Sequence, residues 1–317
     1  MNIWVDFLLT SLAFGAVFVY GSTGEILTEK AGHLNLGIPG IMCMGGAGGC
    51  VALNIVGGSS LPGFLIVILG ILGALVFSVM CGLIYSFLCV TLRANQNVTG
   101  LAMTTFGVGL SKVIVNKLDS TVYLVGPKML YRWPFAERYD ALQYLGVLFF
   151  LAIFIAIFSS WVLFRTKVGL HLRAVGENPA TADAVGINVS RYKYAATCIG
   201  SGIAGLGGFY YIIDYMASQE AYLSVEALGW LSIALVIFAL WRPHLTIIGS
   251  AVFGVLFSCA SYLANIKWLG ITMATTPLLK MLPYVVTILV LIITSIRNKK
   301  ENQPPASLGM SYFREER

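Results

Sequence analysis

The chain has 317 residues, of which 58% are hydrophobic and 11% charged, with a mean hydropathy of +0.84. Soluble domains carry roughly a quarter charged residues, so these values exclude a water-soluble globular protein and indicate an integral membrane protein. The net charge of +6 needs no nucleic-acid partner if it arises from the basic bias of membrane topology, as the counts below indicate.

Apolar segments of about 20 residues recur along the chain, which predicts one all-α, polytopic transmembrane helix bundle rather than two soluble domains. The N-terminus, Met1 to Asp6, lacks a basic region and a small-residue cleavage site, so the first apolar segment should remain in the mature protein. That first span is read from about Phe7 to Gly24, followed by a polar turn, Glu25 to His33. The second runs from about Leu36 to Val56 and contains the glycines Gly45 to Gly49 around Ala47. The third, about Pro62 to Val90, carries Gly70, Gly73 and Ala74. The fourth, about Val98 to Val115, contains Thr99, Thr104 and Thr105.

A polar segment, Asn116 to Asp140, separates the fourth span from the fifth, about Leu142 to Phe164. Pro127 and Pro134 punctuate it, and Tyr131, Trp133 and Tyr139 suit a membrane interface. The sixth span, about Tyr194 to Ile213, holds Gly200, Gly202, Gly205, Gly207 and Gly208, and Tyr210, Tyr211 and Tyr215 near its end read as interface anchors. Spans at Leu228 to Leu240, short enough to be broken or re-entrant, at Leu245 to Leu263 and at about Pro277 to Ile296 complete the reading. It gives about nine spans, with eight to ten compatible, in one transmembrane domain over residues 1–296. The tail, 297–317, is polar, contains Pro304 and Pro305, and is predicted to be a disordered cytoplasmic segment. The glycine runs are read as helix-packing faces, because helix association in lipid depends on close packing. All six cysteines, Cys43, Cys50, Cys81, Cys89, Cys198 and Cys259, fall inside apolar segments without metal-ligand spacing and read as packing residues.

One long polar connection stands apart, at about 165–193. Asn178 is a good N-cap, Pro179 sits where a first helical residue lacks a hydrogen-bond duty, and Gly186 can end a helix in the left-handed region. Together they predict about two helical turns from Pro179 to Val185. So short a helix is marginal alone and needs a surface to dock on. Ala182, Ala184, Val185 and Ile187 offer a low apolar face for one, and a bulky charged side chain at Ala182 or Val185 should clash with it.

The distribution of Lys and Arg orients the bundle. With this loop inside, thirteen of the 20 basic residues fall on the inner side. They are Lys30, Arg93, Arg165, Lys167, Arg173, Arg191, Lys193, Arg242, Arg297, Lys299, Lys300, Arg314 and Arg317. Positive-inside therefore places both the loop and the C-terminus in the cytoplasm.

No HExxH, CxxC, GxSxG or P-loop pattern is present, and His33, His171 and His244 are scattered. A catalytic role is not indicated, and any ATP must be handled by another chain. Ion-coupled carriers usually keep ionisable groups at mid-membrane, whereas Asp6, Glu25, Glu29, Asp214, Glu220 and Glu226 all fall near span ends. That weighs against a single-polypeptide secondary transporter or channel for a small neutral polar solute, which remains the alternative reading.

Gly24 to Met44 with the glycines that follow, and Gly169 to Ile187 followed by Ser190 to Tyr194, resemble the ABC-importer permeases of the nucleoside and simple-sugar group. This group is related to the ribose and branched-chain amino acid permeases. The resemblance implies a multi-pass subunit of the bacterial cell membrane. It also implies three partners: a second homologous permease, an ATP-binding subunit and an extracytoplasmic substrate-binding lipoprotein. This chain itself would hold no cofactor, the ATP sitting on the partner. The resemblance makes the polar loop the helix that couples to the ATPase, with Glu177, Asn178, Pro179, Ala182, Asp183, Val185 and Gly186 as the coupling residues. Glu177 and Asp183 would pair with basic groups of the partner. Many members have Glu where this chain has Pro39, so a pore-lining role for that glutamate is not carried over, and Pro39 suggests a kink or an interrupted helix. A translocation pathway is expected at Asn35, Gly37, Gly40, Met44, Asn97, Thr99 and Gly100. Polar and helix-disrupting residues in apolar spans are tolerated only where protein or a wet cavity satisfies the backbone.

Overall fold

The computed structural model describes residues 3–57, 61–123, 145–263, 281–297 and 303–313. The polar segment with Pro127, Tyr131, Trp133, Pro134 and Tyr139 lies outside the described residues. So do the starts predicted near Leu142 and Pro277, and the basic residues Lys299, Lys300, Arg314 and Arg317. Nine long helices are described: α1 (Ile3–Lys30), α2 (Ile38–Val56), α3 (Gly63–Ser86), α4 (Gln96–Val115), α5 (Val147–Arg165), α8 (Val189–Phe209), α9 (Tyr222–Phe238), α10 (Pro243–Leu263) and α11 (Leu282–Arg297). Between α5 and α8 lie two short ones, α6 (Lys167–Glu177) and α7 (Pro179–Ala184). Seven of the long helices, α1 to α5, α8 and α9, are long and apolar enough to cross a membrane, and α10 adds a shorter apolar stretch.

Three boundaries differ from the sequence reading. α1 continues to Lys30 through the predicted polar turn, because Glu25 and Glu29 sit on a face turned into the protein, and left-handed geometry arrives only at Gly32 (φ 84°). Pro39 occupies the first turn of α2, where a missing N–H breaks no helical bond, so no kink results. α9 is an uninterrupted helix preceded by a 3₁₀ turn at Gln219–Ala221, rather than a broken or re-entrant segment.

α1, α2 and α8 form the centre, with α3 and α4 against α2 and with α5 and α10 against α1, while α9 bridges α1 and α2. α2 is buried along almost its whole length. Its glycines make this possible. Gly45 lies against Gly205 of α8, a side chain at Gly208 would collide with the Met42 carbonyl, and a Cβ at Gly73 of α3 would sit 2.6 Å from the Gly48 carbonyl oxygen. The glycine runs are thus packing faces, as small residues at helix contacts in lipid generally are. α8 ends in a π-helical turn, Tyr210–Tyr215. Tyr210 and Tyr211 are core residues there rather than interface anchors, and the Tyr210 hydroxyl donates to the Ala13 carbonyl at 2.7 Å.

Contacts distant in sequence gather one end of the bundle. The Leu34 N–H donates to Gln96 at 2.8 Å, the Trp241 indole N–H donates to Glu29, and the Gly309 N–H donates to the Gly32 carbonyl at 3.3 Å. The connections α1–α2, α3–α4 and α9–α10 therefore share a side with the hairpin α6–α7 and the C-terminal segment. This is the side that the count of Lys and Arg assigns to the cytoplasm.

The centre sets a first prediction. Gly208→Leu should prevent α2 from seating on α8 and abolish recovery of monodisperse protein. Gly109→Ala, on an open surface of α4, should leave the elution profile in detergent unchanged.

Candidate functional site: the α6–α7 hairpin and the α2–α4 seam

The hairpin is built by local capping. The Thr166 hydroxyl accepts from the Gly169 N–H at 3.2 Å and starts α6. Asn178 breaks the helical path with extended backbone (φ −149°, ψ 94°), and its side-chain oxygen accepts from the Thr181 N–H at 3.0 Å to start α7 behind Pro179. The exit is a Schellman arrangement: the Gly186 N–H donates to the Asp183 carbonyl and the Ile187 N–H to that of Ala182, both at 3.0 Å, with Gly186 at φ 86°. Asn188 then caps α8 through the Arg191 N–H at 3.0 Å.

The faces of α7 are unequal. Ala182 is 3% exposed and packs with Val175 and Val189, flanked by Ile187 and Tyr312, whereas Val185 is 71% exposed. Ala182 is therefore an internal contact of the hairpin and cannot meet a partner's groove directly. A face with Thr181, Ala184, Val185 and Gly186 is left open.

The C-terminal segment completes this site, and sequence reasoning missed it. Residues 303–313 lie against the hairpin instead of hanging free. The Ser307 N–H donates to the Gly176 carbonyl at 3.1 Å, and the Ala306 N–H donates to Glu177 at 3.3 Å. The Tyr312 hydroxyl donates to Asp183 at 3.0 Å. One oxygen each of Glu177 and Asp183, the two acidic residues expected to pair with a partner, is thus engaged within the chain. The same segment reaches the start of α4, where Gln96 donates to the Met310 carbonyl at 3.2 Å and Arg93 stands 4.8 Å over the Phe313 ring.

Six of the seven predicted pathway residues come together at the contact of the α1–α2 connection and α2 with α4. Asn35 is fully buried, its N–H donating to Glu25 at 3.0 Å and its side-chain oxygen accepting from the Gly37 N–H at 3.0 Å. A Cβ at Gly40 would fall 2.5 Å from the Met103 carbonyl oxygen, and one at Gly100 would fall 2.8 Å from the Leu36 nitrogen. Thr99 and Met44 are also buried. These residues form a closed seam, stitched by the Thr104 hydroxyl donating to the Leu36 carbonyl at 2.7 Å. Asn97 alone of the set is exposed, and with Leu101, Thr105 and Gly109 it marks one stripe of α4 at successive fourfold spacing.

Behind the seam lies a buried polar cluster. Glu25 and Glu29 stand one helical turn apart on α1, Glu25 taking the Asn35 N–H and Glu29 the Trp241 N–H. Lys193, counted above as a loop residue, is 3% exposed within α8. His33 is 1% exposed, with Nδ1 3.0 Å from the Thr197 hydroxyl. Burial, and then the charge of Lys193, hold the His33 imidazole well below its ordinary 6.5, in the neutral form.

Residues 7–291 match the family model described as branched-chain amino acid transport system / permease component. The chain belongs to this family. Its curated relatives include three that are each 30% identical to it. TsgC13 of Haloferax volcanii is an ABC transporter permease protein provisionally named for glucose, and the match covers 99% of both chains. The nucleoside ABC transporter permease protein NupC of Lactococcus lactis matches over 88% of this chain and 89% of its own. The guanosine ABC transporter permease protein NupQ of Bacillus subtilis matches over 89% of both. The chain is accordingly a multi-pass permease subunit of an ABC transporter in the cell membrane, a transport subunit rather than an enzyme. Membership implies an ATPase and a binding protein as partners.

Two predictions follow from this permease's hairpin and its buried histidine. Ala182→Arg would place a charge in an apolar contact, so it should unseat the hairpin and expose it to limited proteolysis. Val185→Arg should leave proteolysis unchanged and act only on whatever docks against α7. For His33, the folded state binds a proton less readily than the unfolded chain, so stability is lost as pH falls below about 6.5, by up to about 1.4 kcal/mol per pH unit. Other buried groups titrate over the same range, so the measurement is a difference: between pH 7.5 and 5.5 the thermal midpoint of the parent should fall relative to that of His33→Gln.

Proposed function

We propose that the chain forms half of the translocation pathway of a nucleoside importer. A second, homologous permease supplies the other half, and an extracytoplasmic lipoprotein delivers the solute. ATP is bound and hydrolysed on the partner ATPase, and this chain holds no cofactor. The observation that carries the coupling role is the hairpin itself: a short helix capped at both ends, backed by an apolar contact and open along the Val185 face. Such a rod can be held by an ATPase and can displace α5 and α8, which flank it. The naming of NupC and NupQ supports a nucleoside as cargo, and the name of TsgC13 makes a simple sugar the competing solute.

In this reading the pathway runs along the α4 stripe of Asn97, Thr105 and Gly109, and the α2–α4 seam shapes it from behind. An amide and a hydroxyl suit a neutral solute with ribose hydroxyls, since polar groups persist on a membrane helix where they face a wet cavity.

The test is reconstitution of the co-purified complex in proteoliposomes with its binding protein, scored by uptake of labelled guanosine, uridine and glucose. ATP-dependent uptake of a nucleoside, competed by unlabelled nucleoside and not by glucose, is the expected outcome. Uptake by this chain alone without ATP would restore the secondary-transporter reading. With the complex active, Val185→Arg should reduce nucleoside-stimulated ATP hydrolysis at least about tenfold, the effect of losing one well-packed anchor at an interface.

A further inference from the structure

A recess of about 390 Å³ opens at the cytoplasmic end, apart from the α2–α4 seam. Lys30 from the end of α1, Arg173 from α6 and Arg242 from the α9–α10 turn line it, together with Glu177. Three cations therefore share one recess with one carboxylate, a formal excess of two positive charges. The carboxylate is already engaged by the Ala306 N–H. Like charges brought together in a partly buried space repel, so an anion seated among these cations would offset that cost. The turn that presents Arg242 is itself built on two non-glycine residues in the left-handed region, Leu240 (φ 52°) and Trp241 (φ 55°). Strained backbone persists where its surroundings hold it, and here Trp241 is fixed by its bond to Glu29.

Arg173 adds a second observation. Its guanidinium carbon stands 5.1 Å from the centre of the Phe164 ring, while its Nε is buried with no hydrogen-bond partner. A guanidinium with an unused donor suits a tetrahedral oxyanion, which takes paired N–H donors from Arg and a point charge from Lys. The C-terminal segment borders the recess through Gln303 and Pro305, so an occupant would touch α1, α6, the α9–α10 turn and the tail at once.

We propose that this recess binds a phosphate group. Lys30 and Arg173 are its principal donors and Arg242 closes the positive field. The group can arrive on the headgroup of an anionic phospholipid of the inner leaflet, as basic pockets between membrane helices do on the cytoplasmic side, or as free phosphate. Its effect is to tie the hairpin α6–α7 to the end of α1. The proposal does not depend on which solute is transported.

The experiment uses the co-purified complex, as parent and as Lys30→Gln, Arg173→Gln and Arg173→Lys variants. One arm delipidates the complex, returns it to nanodiscs of phosphatidylcholine with or without phosphatidylglycerol, and reads retained phosphatidylglycerol by native mass spectrometry. The other follows thermal unfolding of the delipidated complex as inorganic phosphate is added, against chloride at equal ionic strength. Retention of phosphatidylglycerol identifies the lipid as the source, and stabilisation by phosphate alone identifies free phosphate. In either case Lys30→Gln and Arg173→Gln should weaken the response roughly tenfold or more, the scale of a lost hydrogen bond to a charged group. Arg173→Lys, which keeps the charge, should weaken it less, and this variant guards against a folding defect in Arg173→Gln. The proposal is overturned if phosphate acts no differently from chloride and no anionic lipid is retained. It is overturned too if the glutamine variants respond like the parent, or if they lose only the ATPase, which would make the recess a seat for a carboxylate of that partner.

Discussion

Close backbone contact at glycine is the constraint on which the rest of this structure depends. In lipid the apolar side chains of two helices gain little by leaving hydrocarbon for each other, so association depends on packing. α2 meets α8 through Gly45 against Gly205 and through Gly208 against Met42, and meets α4 through Gly40 against Met103 and Gly107. No long side chain intervenes at those points that could change rotamer and absorb a displacement. α2 and α8 consequently behave as one body, against which α4 is held at Gly40 and Gly107.

That rigidity gives the cytoplasmic end its significance. The N-terminus of α8 is capped by Asn188 at the exit of the hairpin, so a force on α7 enters α8 directly. A second connection runs outside the membrane helices, from the hairpin through Ser307 and Tyr312 to Gln96 at the head of α4. The hairpin is thereby joined to α4 by two routes, one through the packed glycines and one through the C-terminal segment. Both routes are short and made largely of backbone.

How much of this was legible follows from how local each signal is. The helix α7 was readable residue by residue, because Asn178, Pro179 and Gly186 act on neighbours within one or two turns, whereas α6 before it went unread although Thr166 caps it locally. The helical bundle was readable from apolar length, but not its count: about nine spans were read, whereas seven of the described helices are long and apolar enough to cross a membrane, with a shorter apolar stretch in α10. The inward face of Ala182 was not, since its burial depends on Val175, Val189 and Tyr312, the last of them 130 positions away. The ordered tail escaped for the same reason: its composition is polar, and its order comes from the Gly32 and Gly176 carbonyls, which no local pattern reveals. Glu25 and Glu29 looked like turn residues because their partners, Asn35 and Trp241, are supplied by other segments.

The buried polar cluster then explains why the α1–α2 connection can carry the seam at all. Residues 31–37 leave helical geometry inside the protein, and their backbone groups need partners there. Glu25 takes the Asn35 N–H, Gln96 takes the Leu34 N–H, and the Leu34 carbonyl accepts from the Tyr85 hydroxyl at 2.7 Å. The Leu36 carbonyl accepts from Thr104. These partners come from α1, α3 and α4, so the connection is held from three sides while containing no regular structure of its own. A segment satisfied by side chains rather than by a continuous helical ladder can exchange partners without unwinding a helix. In a bundle whose centre is otherwise locked at glycine contacts, this is where a change in the relation of α2 to α4 costs least, and it lies beside the head of the α4 stripe at Asn97.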